Sequence, residues 1–429
     1  MNTIYIERQV AISSRLQEGE ALLIFAANHK IRNRDVEYKF RQDSDYYYLT
    51  GIEEPDGILF IDRTRRIHFC LPKDKSKEIW TGIRLGKEWI KNELSLTESF
   101  ELVEWNEKKE ELLTNVHTLY YFFGMDESRD REILQVCASL NRKLRDGKFG
   151  PARLEIPEFL HETRMIKTPY ELKIIQEAIR ITKKAHIELM KKSQVGMYEY
   201  ELEAILESIY LQNGAWGGGY GHIVATGKNA TVLHYTKNNC KIQENDCILV
   251  DSGAEYKYYT ADVTRVFPAG KKFTASQRDA YTLVLESQKN AIQMTKAGTK
   301  FLDIHKATVR FLSDGLKQMG FFQESLDEIL EKELFKKFYM HRTGHWLGMD
   351  VHDVGRYYQN QESRVLRDGQ ITTVEPGLYF DPEDETIPKE FRGIGIRIED
   401  NILVNGENPI NLTIEIPKEI NDIESLKAW

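Results

Sequence analysis

Cysteine is scarce in this chain and never clustered. The 4 cysteines (Cys70, Cys137, Cys240, Cys247) form no CxxC pair, so a thiolate metal cage or a paired redox motif is excluded. Reduced thiols in a cytoplasmic protein are the economical expectation. Long apolar runs are lacking as well. The longest early one, residues 21–27, has the length of a strand and is far too short to span a bilayer. Residues 1–15 are mixed and charged, without the apolar stretch and small-residue cleavage site of a signal peptide. No membrane association is therefore expected. An excess of positive charge is missing too: 59 Lys+Arg against 67 Asp+Glu give a net charge of -8. Such a surface repels phosphate backbones and argues against nucleic acid as a partner, leaving small peptides or metabolites. No internal repeat or low-complexity stretch is present, and the charged segments 331–337 and 382–390 read as a solvated helix end and a loop.

What is there is an ordinary globular composition, 41% hydrophobic and 29% charged. A chain of 429 residues is too long for a single common core, so two domains are expected. The first third alternates short strands and helices, the pattern of a small mixed α/β domain. Residues 21–25 and 118–123 read as strands, 57–62 and 67–71 as a hairpin, and 127 to about 145 as a helix. The breaker pair Gly150-Pro151 precedes a change of pattern. Thr168-Pro169-Tyr170-Glu171 has a capping threonine, a proline in the first helical position and a glutamate in the third. Behind it Ile174, Ala178, Ile181, Ala185 and Leu189 trace one face of a helix. The domains are accordingly placed at 1–164 and 165–429. Past residue 220 long strands with glycine-rich turns are expected, interrupted by helices near 275–295 and 301–319.

The chemistry gathers in this second part. CILVDSG (247–253) and YTADVTRVF (259–267) read as two strands around a polar turn. A turn centred on Tyr256 and Lys257 sets Asp251 opposite Asp262, with Cβ atoms roughly 5 Å apart. Paired metals in hydrolases lie about 3.5–4 Å apart, so facing aspartates suggest a cation between them. Aspartates turned to water are the plainer alternative, but Ile248, Leu249, Val250, Val263, Val266 and Phe267 argue for burial. Residues 341–353, HRTGHWLGMDVHD, hold His341, His345 and His352, three of the chain's 11 histidines. Imidazole is a common ligand for divalent metals, and glycines permit close backbone approach. Glu375 lies in the segment TTVEPGLY (372–379), and Glu399 shares a strand face with Arg397 in GIGIRIED (393–400). Solvated surface strands are the ordinary alternative for both glutamates. Four carboxylates and a histidine without cysteine make a hard site, suited to Mn²⁺, with Co²⁺ or Zn²⁺ as alternatives.

The series Asp251, Asp262, His345, Glu375, Glu399 is similar to the five-ligand pattern of the pita-bread metallopeptidases: methionine aminopeptidase, prolidase and aminopeptidase P. The strings VDSGAEYKYYTADVTRVF, HRTGHWLGMDVHDVG, VEPGLYF and RGIGIRIEDNILV, with FRQDSDYYYLTGIEEPDG near the N-terminus, resemble the aminopeptidase P family most closely. The resemblance runs through nearly the whole chain. It implies an α/β (α+β) architecture with a pita-bread catalytic domain behind the small N-terminal one. It also implies two divalent metal ions per subunit, with Asp251 on one, His345 and Glu375 on the other, and Asp262 and Glu399 bridging. A hydroxide between the ions would hydrolyse the bond between an N-terminal residue and a penultimate proline. Glu375 would act as base, with His352 and His234 contacting substrate and intermediate. His341, Arg397 and Tyr379 match positions at the proline pocket, and Trp80 matches an aromatic residue lent to a neighbouring subunit in a homodimer or homotetramer. Arg342-Thr343 departs from the pattern at a place where the family varies. The alternatives are a prolidase restricted to Xaa-Pro dipeptides, a metal-free creatinase-like amidinohydrolase, and a non-catalytic binding protein.

Overall fold

The computed structural model describes residues 3–427. The chain divides into two compact units, Met1–His161 and Glu162–Trp429. The first is built on a six-stranded mixed sheet of β1 (Glu20–Phe25), β2 (Ile58–Asp62), β3 (Arg66–Cys70), β4 (Glu98–Glu101), β5 (Thr118–Tyr120) and β6 (Arg153–Glu155), in the order β4-β3-β2-β1-β5-β6. Ala21 to Ile24 are all buried, because β1 lies inside the sheet with both faces covered. This is why it reads as a continuous apolar run rather than an alternating one. The expected hairpin is present. Its turn is closed by Asp62, whose Oδ1 accepts from the N–H groups of Thr64 (2.8 Å) and Arg65 (2.6 Å). Leu23, Phe60, Phe69, Trp105, Leu113 and Leu119 form the core under the sheet. The helix expected from 127 to about 145 is Glu127–Asn141, started by Asp126, and a separate 3-10 turn, Leu144–Asp146, follows it.

The second unit opens on the helix Pro169–Lys192. Thr168 Oγ1 accepts from Glu171 N–H, and the Glu171 carboxylate accepts from Thr168 N–H at 2.9 Å, closing the capping box. The face Ile174, Ala178, Ile181, Ala185, Leu189 is buried. Two further helices, Ala275–Met294 and Phe301–Gln318, stand where expected. No helix among the described residues is long and apolar enough to cross a membrane.

The strands of this unit are shorter than the sequence suggests. β7 (Ile223–Thr226) pairs with β8 (Cys247–Asp251), which pairs with β11 (Thr264–Pro268); between them lies the short hairpin of β9 (Ala254–Tyr256) and β10 (Tyr259–Thr260). Likewise β12 (Ile371–Val374) pairs with β15 (Asp400–Leu403), and β13 (Gly377–Tyr379) with β14 (Gly395–Arg397). Each of these two long hairpins is broken midway, at 252–253 facing 261–263 and at 375–376 facing 398–399. The predicted register needs correction. Asp251 lies opposite Thr264, not Asp262, and Tyr256 opposite Tyr259. The turn residues are Lys257 and Tyr258, both with positive φ (46° and 68°), as a tight two-residue hairpin turn demands. Asp262 therefore sits two positions along from the residue facing Asp251.

The broken hairpins are tied together by Asp400, which is fully buried. Its carboxylate accepts from Arg265 (2.7 Å), Gln288 (2.8 Å), Asn411 (2.9 Å), Thr413 (2.7 Å) and Lys418 (2.5 Å). Burial alone would raise the Asp400 pKa, but Arg265 and Lys418 hold it well below the usual carboxylate range. A lowered folded pKa stabilises fully above the unfolded value of about 3.9, and that stability drains away as pH falls from there toward the folded pKa. Asp400→Asn leaves Arg265 uncompensated and is expected to cost about 3–5 kcal/mol at neutral pH. Urea titrations at several pH values check this: the gap between variant and parent should hold above about pH 5 and narrow steadily below about pH 4, down to the lowest pH at which the parent stays folded.

Candidate active site

The strand breaks are where the candidate residues stand. Asp251 ends β8, Asp262 lies in the gap between β10 and β11, Glu375 between β12 and β13, and Glu399 between β14 and β15. At each break the chain leaves one small sheet for the next. The segment carrying His345 runs beside β12: His345 N–H donates to Thr373 Oγ1 (3.1 Å), Thr373 N–H to His345 O (2.9 Å), and Glu375 N–H to Thr343 O (2.8 Å). Gly344 allows this approach, since a Cβ there would fall 2.0 Å from Thr373 O.

Asp251, Asp262, His345, Glu375 and Glu399 all line one cavity of about 1000 Å³. Ligand atoms of Asp262, His345 and Glu399 lie within 4.8 Å of one another. His345 Nε2 is 3.3 Å from Asp262 Oδ2 and 3.6 Å from Glu375 Oε1. Its Nδ1 lies 2.9 Å from Trp346 O, which only accepts, so Nδ1 carries the hydrogen and Nε2 faces the carboxylates. Asp251 accepts from Arg397 (2.7 Å), which also donates to Tyr379 Oη (3.1 Å) and Thr264 Oγ1 (3.1 Å). Thr264 in turn donates to Glu399 Oε2 at 2.8 Å. Tyr379 Oη is 2.8 Å from His341 Nε2, and His341 Nδ1 donates to Arg342 O at 2.7 Å. A continuous chain of hydrogen bonds thus runs from Asp251 through Arg397 and Tyr379 to His341.

Electrostatics favours a cation here. Burial pushes Glu375 up to about 7 against the pull of His345 and Arg397, and burial with Asp262 raises Glu399 well above the usual range. Burial would lower His345, but Asp262 and Glu375 outweigh it and lift the imidazole to about 9. Crowded, buried carboxylates here call for a compensating positive charge, which a proton or a cation can supply. Oxygen and imidazole donors without sulfur suit hard divalent ions, so the residues present fit the metals that the sequence suggests.

Of the other candidates, His234, His341, His352 and Arg397 line the same cavity, with Tyr379 directly behind His341. The His352 ring meets His345 edge-on at 4.4 Å. Trp80 is on the helix Lys75–Thr81 of the first unit and is 87% exposed. Tyr220 was missed by sequence reasoning. Its hydroxyl lies 2.7 Å from Asp251 Oδ1 and 2.5 Å from Asp262 Oδ1, joining the two aspartates. The run Gly217-Gly218-Gly219 before it was the available signal. Asn401 was also missed; its side chain bonds both the N–H and the carbonyl of Asp262.

This constellation, on paired broken hairpins, is that of a hydrolase using divalent metals. Residues 173–406 match the model of metallopeptidase family M24, and residues 5–121 match the aminopeptidase P N-terminal domain. The Xaa-Pro aminopeptidase of Escherichia coli (strain K12) is 37% identical over 98% of this chain and 96% of its own length. Human Xaa-Pro aminopeptidase 3 is 31% identical over 92% of this chain and 78% of its own. Among solved structures, Pseudomonas aeruginosa aminopeptidase PepP superposes with a TM-score of 0.96 at 37% identity, covering 99% of this chain and 97% of that one. A zinc-substituted Escherichia coli aminopeptidase P in complex with product gives 0.95 at 36% identity, covering 100% and 98%. The chain belongs to the aminopeptidase P family within metallopeptidase family M24, with that family's N-terminal domain followed by the pita-bread domain. It is a metal-dependent exopeptidase.

Two buried carboxylates support the cavity walls. Asp353, next to His352, accepts from Arg164 (2.6 Å) and Lys167 (2.8 Å), pinning the histidine-rich loop to the segment that enters the long helix. Glu199, wholly buried, accepts from Thr226 N–H (2.9 Å), Thr226 Oγ1 (2.8 Å), Asn229 (3.0 Å), Tyr235 (2.8 Å) and Cys240 N–H (2.8 Å). It organises the whole segment that carries His234. Glu199→Gln sets an amide N–H₂ against these donors and is expected to cost about 1–3 kcal/mol. Hydrogen exchange should quicken across 226–240 and remain slow in β8; unchanged protection of 226–240 would refute the anchoring role.

Proposed function

We propose that this chain removes the N-terminal residue from peptides whose second residue is proline. The convergence of Asp251, Asp262, His345, Glu375 and Glu399 on one cavity carries the reading, in a chain aligned over 98% of its length with a relative named Xaa-Pro aminopeptidase. Asp251 would hold one ion, His345 and Glu375 the other, and Asp262 and Glu399 both, within a catalytic domain placed at 165–429 behind an N-terminal domain at 1–164. Mn²⁺ is the preferred occupant on donor chemistry, with Co²⁺ or Zn²⁺ as alternatives. When bound, such ions make hydroxide available near neutral pH and polarise the scissile carbonyl.

The protein's own groups do the rest. Glu375 accepts a proton from water and returns it to the departing proline nitrogen. His352, lowered by burial and by the neighbouring His345, stays neutral and offers an N–H to the oxygen on which charge develops. His234 contacts the substrate from the segment held by Glu199. Arg397 and Tyr379 hold the His341 ring in one orientation, so it forms a fixed wall for the proline ring. Proline's nitrogen carries no hydrogen, so the pocket needs no acceptor for it.

Trp80, Ile79 and Ile83 are 87%, 82% and 87% exposed on the first unit. Such a patch supports contact between copies in a homodimer or homotetramer, with Trp80 reaching a neighbour's site. Four unpaired cysteines support a cytoplasmic location. The test of the activity is mass spectrometry of Mn²⁺-loaded protein with Xaa-Pro dipeptides, longer Xaa-Pro peptides and Xaa-Ala controls. Longer proline peptides should lose one residue and the controls none; turnover of dipeptides alone would instead identify a prolidase. Asp262→Ala should lose bound metal and activity together by elemental analysis and assay, and an active, metal-replete variant would reject the bridging role.

A further inference from the structure

We propose that Arg342 selects peptides carrying a carboxylate on the C-terminal side of the proline, the α-carboxylate of a short peptide being the natural source. This inference rests on the exopeptidase reading above and specifies its substrate class.

Charge is divided unevenly around the cavity. The carboxylates lining it are Asp251, Asp262, Glu375 and Glu399, all belonging to the candidate metal centre. From that centre the wall leads through His341, whose Nδ1 is 3.8 Å from Glu375 Oε2, to Arg342, the next residue along. Arg342 lines the cavity and is exposed. Its guanidinium makes no hydrogen bond or ion pair among the described residues. The root of the side chain is nevertheless fixed. Its carbonyl accepts from His341, and the neighbouring Thr343 hydroxyl is bonded to Tyr339 Oη (2.8 Å) and His305 Nδ1 (2.9 Å). An anchored backbone with an unpaired head is a preorganised anion receptor, and the planar guanidinium matches a carboxylate's two oxygens. Burial and the Arg342 charge keep the adjacent His305 near 4 and hence neutral, so it offers no competing anion or cation.

The direction of the substrate makes this placement useful. An enzyme that releases the first residue holds the substrate's amine at the metal end. The proline then lies against His341, and the chain beyond it runs outward past Arg342. In a tripeptide the α-carboxylate falls on that side. In a long polypeptide no terminal carboxylate is present there, so Arg342 gives no such gain.

The experiment uses the full chain loaded with Mn²⁺ at low ionic strength. It compares kcat/KM for Ala-Pro-Gly as free acid, Ala-Pro-Gly amide and Ala-Pro-Asp amide. The parent protein should prefer a charged peptide over the neutral amide by roughly three- to tenfold. That preference should fade with added salt, fall to near unity in Arg342→Gln, reverse in Arg342→Glu and persist in part in Arg342→Lys. A gain confined to the free acid identifies the α-carboxylate, and one confined to the aspartyl amide identifies a side chain; either supports the assignment. Equal rates on all three peptides in the parent, or a preference surviving Arg342→Gln, would overturn it. Thermal midpoints and metal content confirm that the variants are folded and loaded. Failure of the parent to cleave any proline peptide would instead count against the exopeptidase reading itself.

Discussion

Like charge held at close range is the constraint on which the second unit depends. Two carboxylates about 5 Å apart repel by about 3 kcal/mol at an effective dielectric constant of 20, and four of them share this wall. The protein counters with guanidinium groups paired to the outer members of the set. Arg397 binds Asp251 within the cavity wall, and Arg265 donates to the Glu399 carbonyl (2.6 Å) while paired with Asp400. The front of the wall is left to the cavity, open to a divalent cation.

Broken strands make that arrangement feasible. A regular ladder would satisfy its own backbone and splay its side chains alternately to two faces. Breaks at 252–253, 261–263, 375–376 and 398–399 free the chain to turn each carboxylate toward a common point. The backbone groups released there are taken up across the gaps: Glu399 N–H reaches Thr264 O, Ile398 N–H reaches Pro376 O, and Asn401 satisfies both main-chain groups of Asp262. Irregular backbone is tolerated because neighbouring elements complete its hydrogen bonds.

Much of this was legible in the sequence, and for local reasons. The capping box at Thr168, the helix face from Ile174 to Leu189 and the buried run of β1 are written in adjacent residues. The five candidate ligands stood out because carboxylates and histidine within apolar, glycine-punctuated strands are chemically conspicuous. The hairpin register was misread because the turn depends on Lys257 and Tyr258 adopting positive φ, which neither residue type favours. Tyr220 and Asn401 escaped notice because a tyrosine after glycines and an asparagine in a strand look ordinary until tertiary contacts bring them to Asp251 and Asp262. The paired strands also proved shorter than their apolar text, since breaks are imposed by the site and not by local propensity.

The two-residue turn at Lys257–Tyr258 has a consequence for how this protein can vary. It is the spacer that sets where Asp262 arrives relative to Asp251. An added or deleted residue there that shifted the strand pairing would carry the second aspartate along the chain, away from its place beside His345 and Glu399. A shift of two would displace the carboxylate by about 7 Å. Here chain length is itself part of the chemistry.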